Sequence, residues 1–520
     1  MKKKLTLVLA IAMLFSLLAA CAPKEEATAP DPGAQTTQDE PAAPATEPPA
    51  ILEVPDIPEI FRLVDVPEIE NKTPIHIMVE ASGSGDTFVP FLEKFTEHTG
   101  VPVTYEMITM ADAYAKQGAA LMSHSGAYDA IMVETTWTNE WKDYLAPLRE
   151  LAEDYDIHGI AGLEADLVNF DQGLLRCATT SEGELMGIPY YSYPLMQFIR
   201  EDVWKNEIEQ EAFLAKYGYP LDYATDFEQV RDQAEFFTRD AGDTLKGEVL
   251  EHEIYGTAQM GGRFTHVQDE IATRLWGMGG NFITPIRDGS GNITEWVFTQ
   301  NDREVMLKAC SDYVRDLEFS SPGSLNAFWD YCGTQFAAGN IMFMYAQYNG
   351  LWTWMVTDLA ANVPGGEVVA IPVPGLRPYT GGFFFGAVRE SQNLEAVYWL
   401  SRYLVSFEAQ YQMPFAGGWP ISRFDVAEAA LEDPAIDEAT YHEALGYIEA
   451  QRITSEAQFA DINNYIHFNS EAAGRVYDLM TNIFHENAIG ERTPEETVNE
   501  WGRRVVEILN RYGSVPAREE

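Results

Sequence analysis

The chain has 520 residues with 81 Asp and Glu against 34 Lys and Arg, a formal charge of −47. So acidic a chain is excluded as a binder of nucleic acid or of an anionic membrane face, because its field repels both. Its 46% hydrophobic and 12% aromatic content describes a globular protein with ample core, and four cysteines, Cys21, Cys177, Cys310 and Cys332, make no disulfide scaffold.

Met1-Lys2-Lys3-Lys4 and the apolar run to Ala20 read as a signal peptide, too short for an ordinary membrane span. The run closes on Leu18-Ala19-Ala20-Cys21, which resembles a bacterial lipobox. That resemblance implies that Cys21 becomes a lipidated N-terminus and that the protein is anchored without spanning the membrane. Residues 22 to 58 hold nine prolines, and no aromatic residue occurs between Phe15 and Phe61. Such a segment buries too little apolar surface to offset its ordering entropy, so residues 21–70 are expected to form a tether.

Ile75 to Glu80 is a strand, followed by a turn over Ser82 to Asp86 and a helix with Phe88, Phe91, Leu92 and Phe95 on one face. Val101 to Glu106 is a second strand, Ala111 to Met122 a helix and Tyr128 to Val133 a third strand. This alternation predicts a layered α/β fold with a mostly parallel sheet and ligand sites beyond the carboxyl ends of its strands. The run from Gly183 to Trp204 contains Pro189 and Pro194 with Tyr190, Tyr191 and Tyr193 between them. Proline cannot donate to a central ladder, so the run is an edge strand or a connection between two bodies.

Further on, Thr265 to Trp276 is a helix, Arg287 to Thr294 a hairpin turn, and Asn301 to Leu317 and Phe328 to Ala338 are helices. Val368 to Pro374 and Tyr379 to Gly386 are strands, and Ser391 caps a helix running through Phe407. Two final helices are expected, the last opened by a Thr493 to Glu496 capping box with Pro494 in its first turn. The sequence holds no G-x-S-x-G, P-loop, H-E-x-x-H or C-x-x-C, and it calls for no cofactor and no metal.

Several landmarks fall in a fixed order: Gly126-Ala-Tyr-Asp129, the Trp137 to Trp141 region, Gly187-Ile-Pro-Tyr190, Trp276-Gly-Met-Gly-Gly280 and Phe336-Ala-Ala-Gly339. Asn349-Gly-Leu-Trp352, Pro372-Val-Pro-Gly375, Gly381-Gly382, Glu390 to Ala396, Gly417-Gly-Trp-Pro420 and Thr493-Pro-Glu-Glu496 continue it. Together they resemble the extracellular solute-binding proteins of ABC importers, the maltodextrin-type family one. The chain departs from that pattern at Ile199-Arg200-Glu201-Asp202 and at Tyr223-Ala-Thr-Asp-Phe227.

The resemblance implies a two-lobed periplasmic-binding-protein-like fold of type II with discontinuous lobes. The first lobe would take residues 71–190 and 372–413, the second 191–371 and 414–512, with a tail over 513–520. Crossings would lie near 190, 372 and Pro414, and the lobes would close on a small-molecule solute by hinge motion. The partners would be membrane permease subunits, the protein a monomer on the extracellular face, with no catalytic step. Stacking aromatics and carboxylate or amide acceptors suit an oligosaccharide. The expected ligand contacts are Trp137, Tyr191, Trp276, Trp352 and Trp419, with Asp86, Glu134 and Asn349 as hydroxyl acceptors and Gly381 and Gly382 for close backbone approach. A polyamine, peptide or phosphate ester, a surface carbohydrate-active enzyme, and a receptor serving a sensor remain the other readings.

Overall fold

The computed structural model describes residues 52–57, 60–81 and 83–520; Cys21, the signal peptide and most of the expected tether lie outside them. Five strands form the first sheet, in the order Val103–Ile108, Ile75–Glu80, Ala130–Glu134, Gly382–Ala387, Pro189–Ser192. The first three run parallel, and Gly382–Ala387 is antiparallel to both of its neighbours, pairing Phe384 with Val133 and Phe383 with Tyr191. Ile131, Met132 and Val133 are all buried, as a strand covered on both faces requires. The expected turn at Ser82 to Asp86 is instead the start of helix Gly83–Thr99. Gly85 permits it: a Cβ there would fall 1.8 Å from the Glu80 carbonyl oxygen, so only glycine lets the helix begin so close to the strand it follows.

The proline-broken run from Gly183 to Trp204 holds two strands. Pro189–Ser192 is the edge strand of the first sheet, and Leu195–Arg200 is the centre of a second, antiparallel sheet between Phe343–Tyr348 and Val368–Ile371. Its alternation feeds two cores: Leu195 and Ile199 pack into one and Met196 and Phe198 into the other. Gln197 is the polar interruption, and its Nε2 donates to the carbonyls of Ala224 and Pro372, each at 2.8 Å. The chain therefore leaves the first sheet between Ser192 and Leu195 and returns to it between Ile371 and Gly382.

Several other expectations change. Ser391 does not cap the following helix; Asn393 does, while the Ser391 hydroxyl donates to Asp129 at 2.6 Å. The single helix expected through Phe407 is two, Leu394–Leu404 and Phe407–Gly417, because Ser406 caps the second. Pro414 lies inside that second helix, which ends where Gly418 adopts φ 67°. Five helices follow it, not two, from Phe424–Glu432 to Pro494–Tyr512, the last with the expected capping box. The N-terminal boundary also moves. Gln412 exchanges two hydrogen bonds with the backbone of Leu52, Phe61 stacks on Trp399 at 5.8 Å, and Ile69 is fully buried, so the segment before residue 70 is docked on the fold. Cys177, Cys310 and Cys332 are buried free thiols.

Two landmarks of the sequence meet backbone to backbone. A Cβ on Gly375, which holds φ 77°, would fall 2.4 Å from the carbonyl oxygen of Gly277. Gly375→Ala is therefore expected to destabilise the protein by more than about 1 kcal/mol, measured by denaturant unfolding, since both the φ and the contact exclude a side chain.

Candidate functional site

A cavity of about 820 Å3 opens at the carboxyl end of the first sheet, where side chains from several elements converge. Glu80 and Glu134 end two of the parallel strands, Tyr191 and Tyr193 flank the first crossing, and Phe383 begins the returning strand. His266 and Asp269 come from the first two turns of helix Thr265–Gly277, and Tyr348 and Trp354 from the end of the second sheet and the helix after it. Trp419 and Tyr477 complete the wall. A smaller cavity of about 230 Å3 lies beside Gly126 and Tyr128 at the opposite end of strand Ala130–Glu134, the end at which α/β sheets do not bind ligands.

The aromatic lining is continuous. Tyr191 lies 6.0 Å from Trp419 and 6.1 Å from Phe383, and Tyr193 lies 5.4 Å from Phe383 and 6.1 Å from Tyr348, between ring centroids. Trp137 packs 5.4 Å from Tyr114, which also lines the cavity. Trp354 meets Trp329 edge to face at the rim, and Trp329 is 42% exposed, an unusual state for so large an apolar ring.

Two buried carboxylates stand in this wall. Glu134 accepts from the hydroxyl of Tyr193 and from the backbone N–H of Thr136 at 3.0 Å. Burial pushes its carboxyl up to about 7 against the pull of those hydrogen bonds. Asp269 accepts from the hydroxyls of Tyr348 and of Tyr477, the latter at 3.0 Å, and burial holds it well above the usual carboxylate range. His266 is pushed down to about 3 by burial alone and is neutral at ordinary pH.

Of the residues singled out in the sequence, Glu134, Trp137, Tyr191 and Trp419 line the cavity. Trp276 does not: it is 1% exposed and stacks 3.7 Å from Tyr465 in the core. Trp352 is buried too, donating its indole N–H to the His442 carbonyl at 2.7 Å. Helical spacing explains the error. Trp352, Met355 and Leu359 form the core stripe of helix Trp352–Asn362, while Thr353, Trp354 and Thr357 face the cavity. Asn349 is fully buried, its Nδ2 donating to Ser192 and Gln451, each at 3.0 Å. Gly381 and Gly382 make room for their neighbours: a Cβ on Gly381 would meet the Tyr193 ring, and one on Gly382 the Tyr191 carbonyl. Asp86 lies in the first turn of helix Gly83–Thr99 and its side chain is outside the described residues. Sequence reasoning missed Asp269, His266, Tyr348 and Tyr477. Tyr348 stood beside a landmark, but nothing in the pattern singled out Asp269 among 81 acids.

The model of the bacterial extracellular solute-binding protein family matches residues 81–411. The chain belongs to that family. Solved structures agree in fold at low identity. A solute-binding protein of an ABC transporter from Agrobacterium radiobacter K84, in complex with ribitol, is 16% identical with a TM-score of 0.62, covering 83% of this chain and 97% of that one. Maltose-bound MalE3 of T. maritima is 18% identical with a TM-score of 0.58, covering 84% of this chain and 100% of that one. A substrate-binding protein from Listeria monocytogenes in complex with cycloalternan is 14% identical with a TM-score of 0.57, covering 85% and 100%. No curated protein matches the chain by sequence. The fold is thus that of a two-lobed binding protein.

Trp352→Ala is expected to cost about 3–5 kcal/mol of stability in denaturant unfolding, as loss of a buried indole does, with Trp419→Ala costing clearly less. The raised carboxyl of Glu134 has a definite sign. Between its ordinary value of 4.5 and about 7 the folded state keeps a proton that the unfolded state releases, so stability falls as pH rises through that window. Glu134→Gln is expected to remove that part of the pH dependence, up to about 3 kcal/mol, when wild type and variant are unfolded in denaturant across the window.

Proposed function

We propose that this solute-binding protein captures an oligosaccharide between its lobes and presents it to the permease of an ABC importer. The observation that carries the reading is the aromatic wall with hydroxyl-accepting carboxylates set into it. The apolar C–H faces of a sugar stack on Trp137, Tyr191 and Trp419, which line the cavity. Its hydroxyl edges donate to Glu134 and Asp269, which already act as acceptors for tyrosine hydroxyls and retain free lone pairs. A cavity of about 820 Å3 holds several rings rather than one.

The lobes are read as residues 71–190 with 372–413 and residues 191–371 with 414–512, refined by the strand ends at Ser192 and Leu195. Tyr193 then sits in the hinge and reports closure directly, since its hydroxyl is bonded to Glu134 of the first lobe and its ring abuts Tyr348 of the second. Closure offers the permease a surface that differs between loaded and empty forms, and the protein performs no chemistry. Lipidation at Cys21 would hold it, as a monomer, at the extracellular face. Among the described residues no helix is long and apolar enough to cross a membrane, so attachment would fall to the N-terminus.

The expected result of a thermal-shift screen over sugars, polyamines, peptides and phosphate esters is a shift with oligosaccharides, because binding raises the melting temperature by mass action. Trp419→Ala is expected to weaken binding of the responding sugar at least tenfold, about 1.4 kcal/mol. A shift with a polyamine or peptide and with no sugar in the panel would refute the oligosaccharide reading.

A further inference from the structure

The cavity is electrically one-sided. Glu80, Glu134, Asp269 and Asp478 line it, and among its described lining residues there is no lysine or arginine. Arg475, which is not in the lining, acts on Asp478 and on Glu140, the acceptor of the Tyr114 hydroxyl, and its guanidinium lies 4.2 Å over the Tyr512 ring. His266 supplies no charge either. It is nine-tenths buried in the lining, and its Nδ1 has no hydrogen-bond partner in the protein.

The two deepest carboxylates are 4% and 2% exposed, and each is surrounded by hydroxyl and amide donors rather than by a cation. A buried carboxylate solvated by dipoles but left without a counter-charge is costly, and two of them repel. Tyr193 and Tyr348, which donate to Glu134 and Asp269 respectively, have rings 6.1 Å apart, so the two acids share one wall. Asp269 senses the charge of Glu134, and burial disfavours the ionised form of both. The tryptophan, tyrosine and phenylalanine rings that line the same space supply the further attraction that a cation finds on π faces.

We propose that the solute is a saccharide bearing a protonated amine, seated with its ammonium group against the wall formed by Glu134 and Asp269. The ammonium donates to the carboxylates. The inference rests on the saccharide reading above. It makes binding release protons: the ammonium stabilises the ionised carboxylates, so the protons they held in the empty cavity leave to solvent as the solute enters. The chain's net charge of −47 also favours the approach of a cationic solute.

The test uses the whole protein and a matched pair, a trimer of glucosamine and its fully N-acetylated counterpart, with maltotriose and spermidine as further probes. Titration calorimetry is run in two buffers of different ionisation enthalpy, at a pH where the free amine is protonated. The expected result is at least tenfold tighter binding of the amine trimer than of its acetylated form, with net proton release for the amine trimer alone. Asp269→Asn is expected to cut that preference at least threefold; Glu134→Gln serves as the second variant, and melting curves of the unliganded variants establish that each is folded. Equal or tighter binding of the acetylated trimer or maltotriose, or binding of the amine without proton release, overturns the charge inference and leaves the saccharide reading standing. Binding of spermidine with no response to any saccharide overturns both.

Discussion

The structure depends on how two stretches of chain pass side by side between the sheets. Tyr193 donates its backbone N–H to the Gly381 carbonyl at 3.1 Å, and Leu195 donates to the Tyr379 carbonyl at 2.9 Å. Pro194 between them has no N–H to offer. The two passages are therefore held to each other by a sparse ladder with a gap in its middle, stiff in register and weak in bending. Glycine at 381 is the condition for this, since any side chain there would collide with the Tyr193 ring. The first-sheet side of the site inherits its position from this pair: Tyr191 and Tyr193 on one passage, Phe383 on the other, and Glu134 on the next strand over, bonded to Tyr193.

That arrangement explains which parts of the molecule could be read from the sequence. Strands covered on both faces announce themselves as short apolar runs, and prolines mark where they end, so the strands of the first sheet and the passages of chain at Pro189 to Pro194 and after Ile371 were legible. Helix ends marked by glycine or by a capping box, at Gly418 and Thr493, were legible too. The C-terminal region was not: it reads as two helices, although Pro434, Gly446 and Gly490 mark three of the four breaks between its five, and only the 459–472 connection lacks both residues.

The site was half legible for a different reason. A tryptophan at a break in the chain is equally well placed to fill a core or to line a cleft, and the two outcomes differ by a rotation of about 100° per residue along a helix. Trp352 and Trp354 are two positions apart and face opposite ways. Trp352 shares its stripe with Met355 and Leu359, so it joins the core, while Trp354 shares its side with Thr357 and meets the cavity. Trp419 and Tyr191 escape this ambiguity because they lie on extended or capping backbone beside glycine. Gly350, for instance, leaves room for the Tyr191 hydroxyl, which a Cβ would approach to 2.7 Å. Asp269 was hidden by abundance, since one acid among many carries no pattern until the tyrosines that surround it are brought together by folding.

The acids of the cleft also bear on why a binding protein tolerates a costly site. Glu134 and Asp269 are not neutralised by any lysine or arginine in the lining, whereas Asp166 in the scaffold is bonded to Arg402 and Arg423, and Asp316 to Arg274. Buried Asp171, held by Ser455 and Gln451, is an acid outside the cavity that also has no cation among the described residues. Charge pairing is therefore not uniform in the interior, and at the proposed site the carboxylates are left to hydroxyl and amide donors. An ion pair supplied by the protein itself would lower that cost in the empty state, but it would have to be broken or displaced before a solute could use the same carboxylates. Leaving the carboxylates with tyrosine hydroxyls keeps their remaining lone pairs available, and the free energy withheld from the empty state becomes part of the difference between the open and the loaded forms.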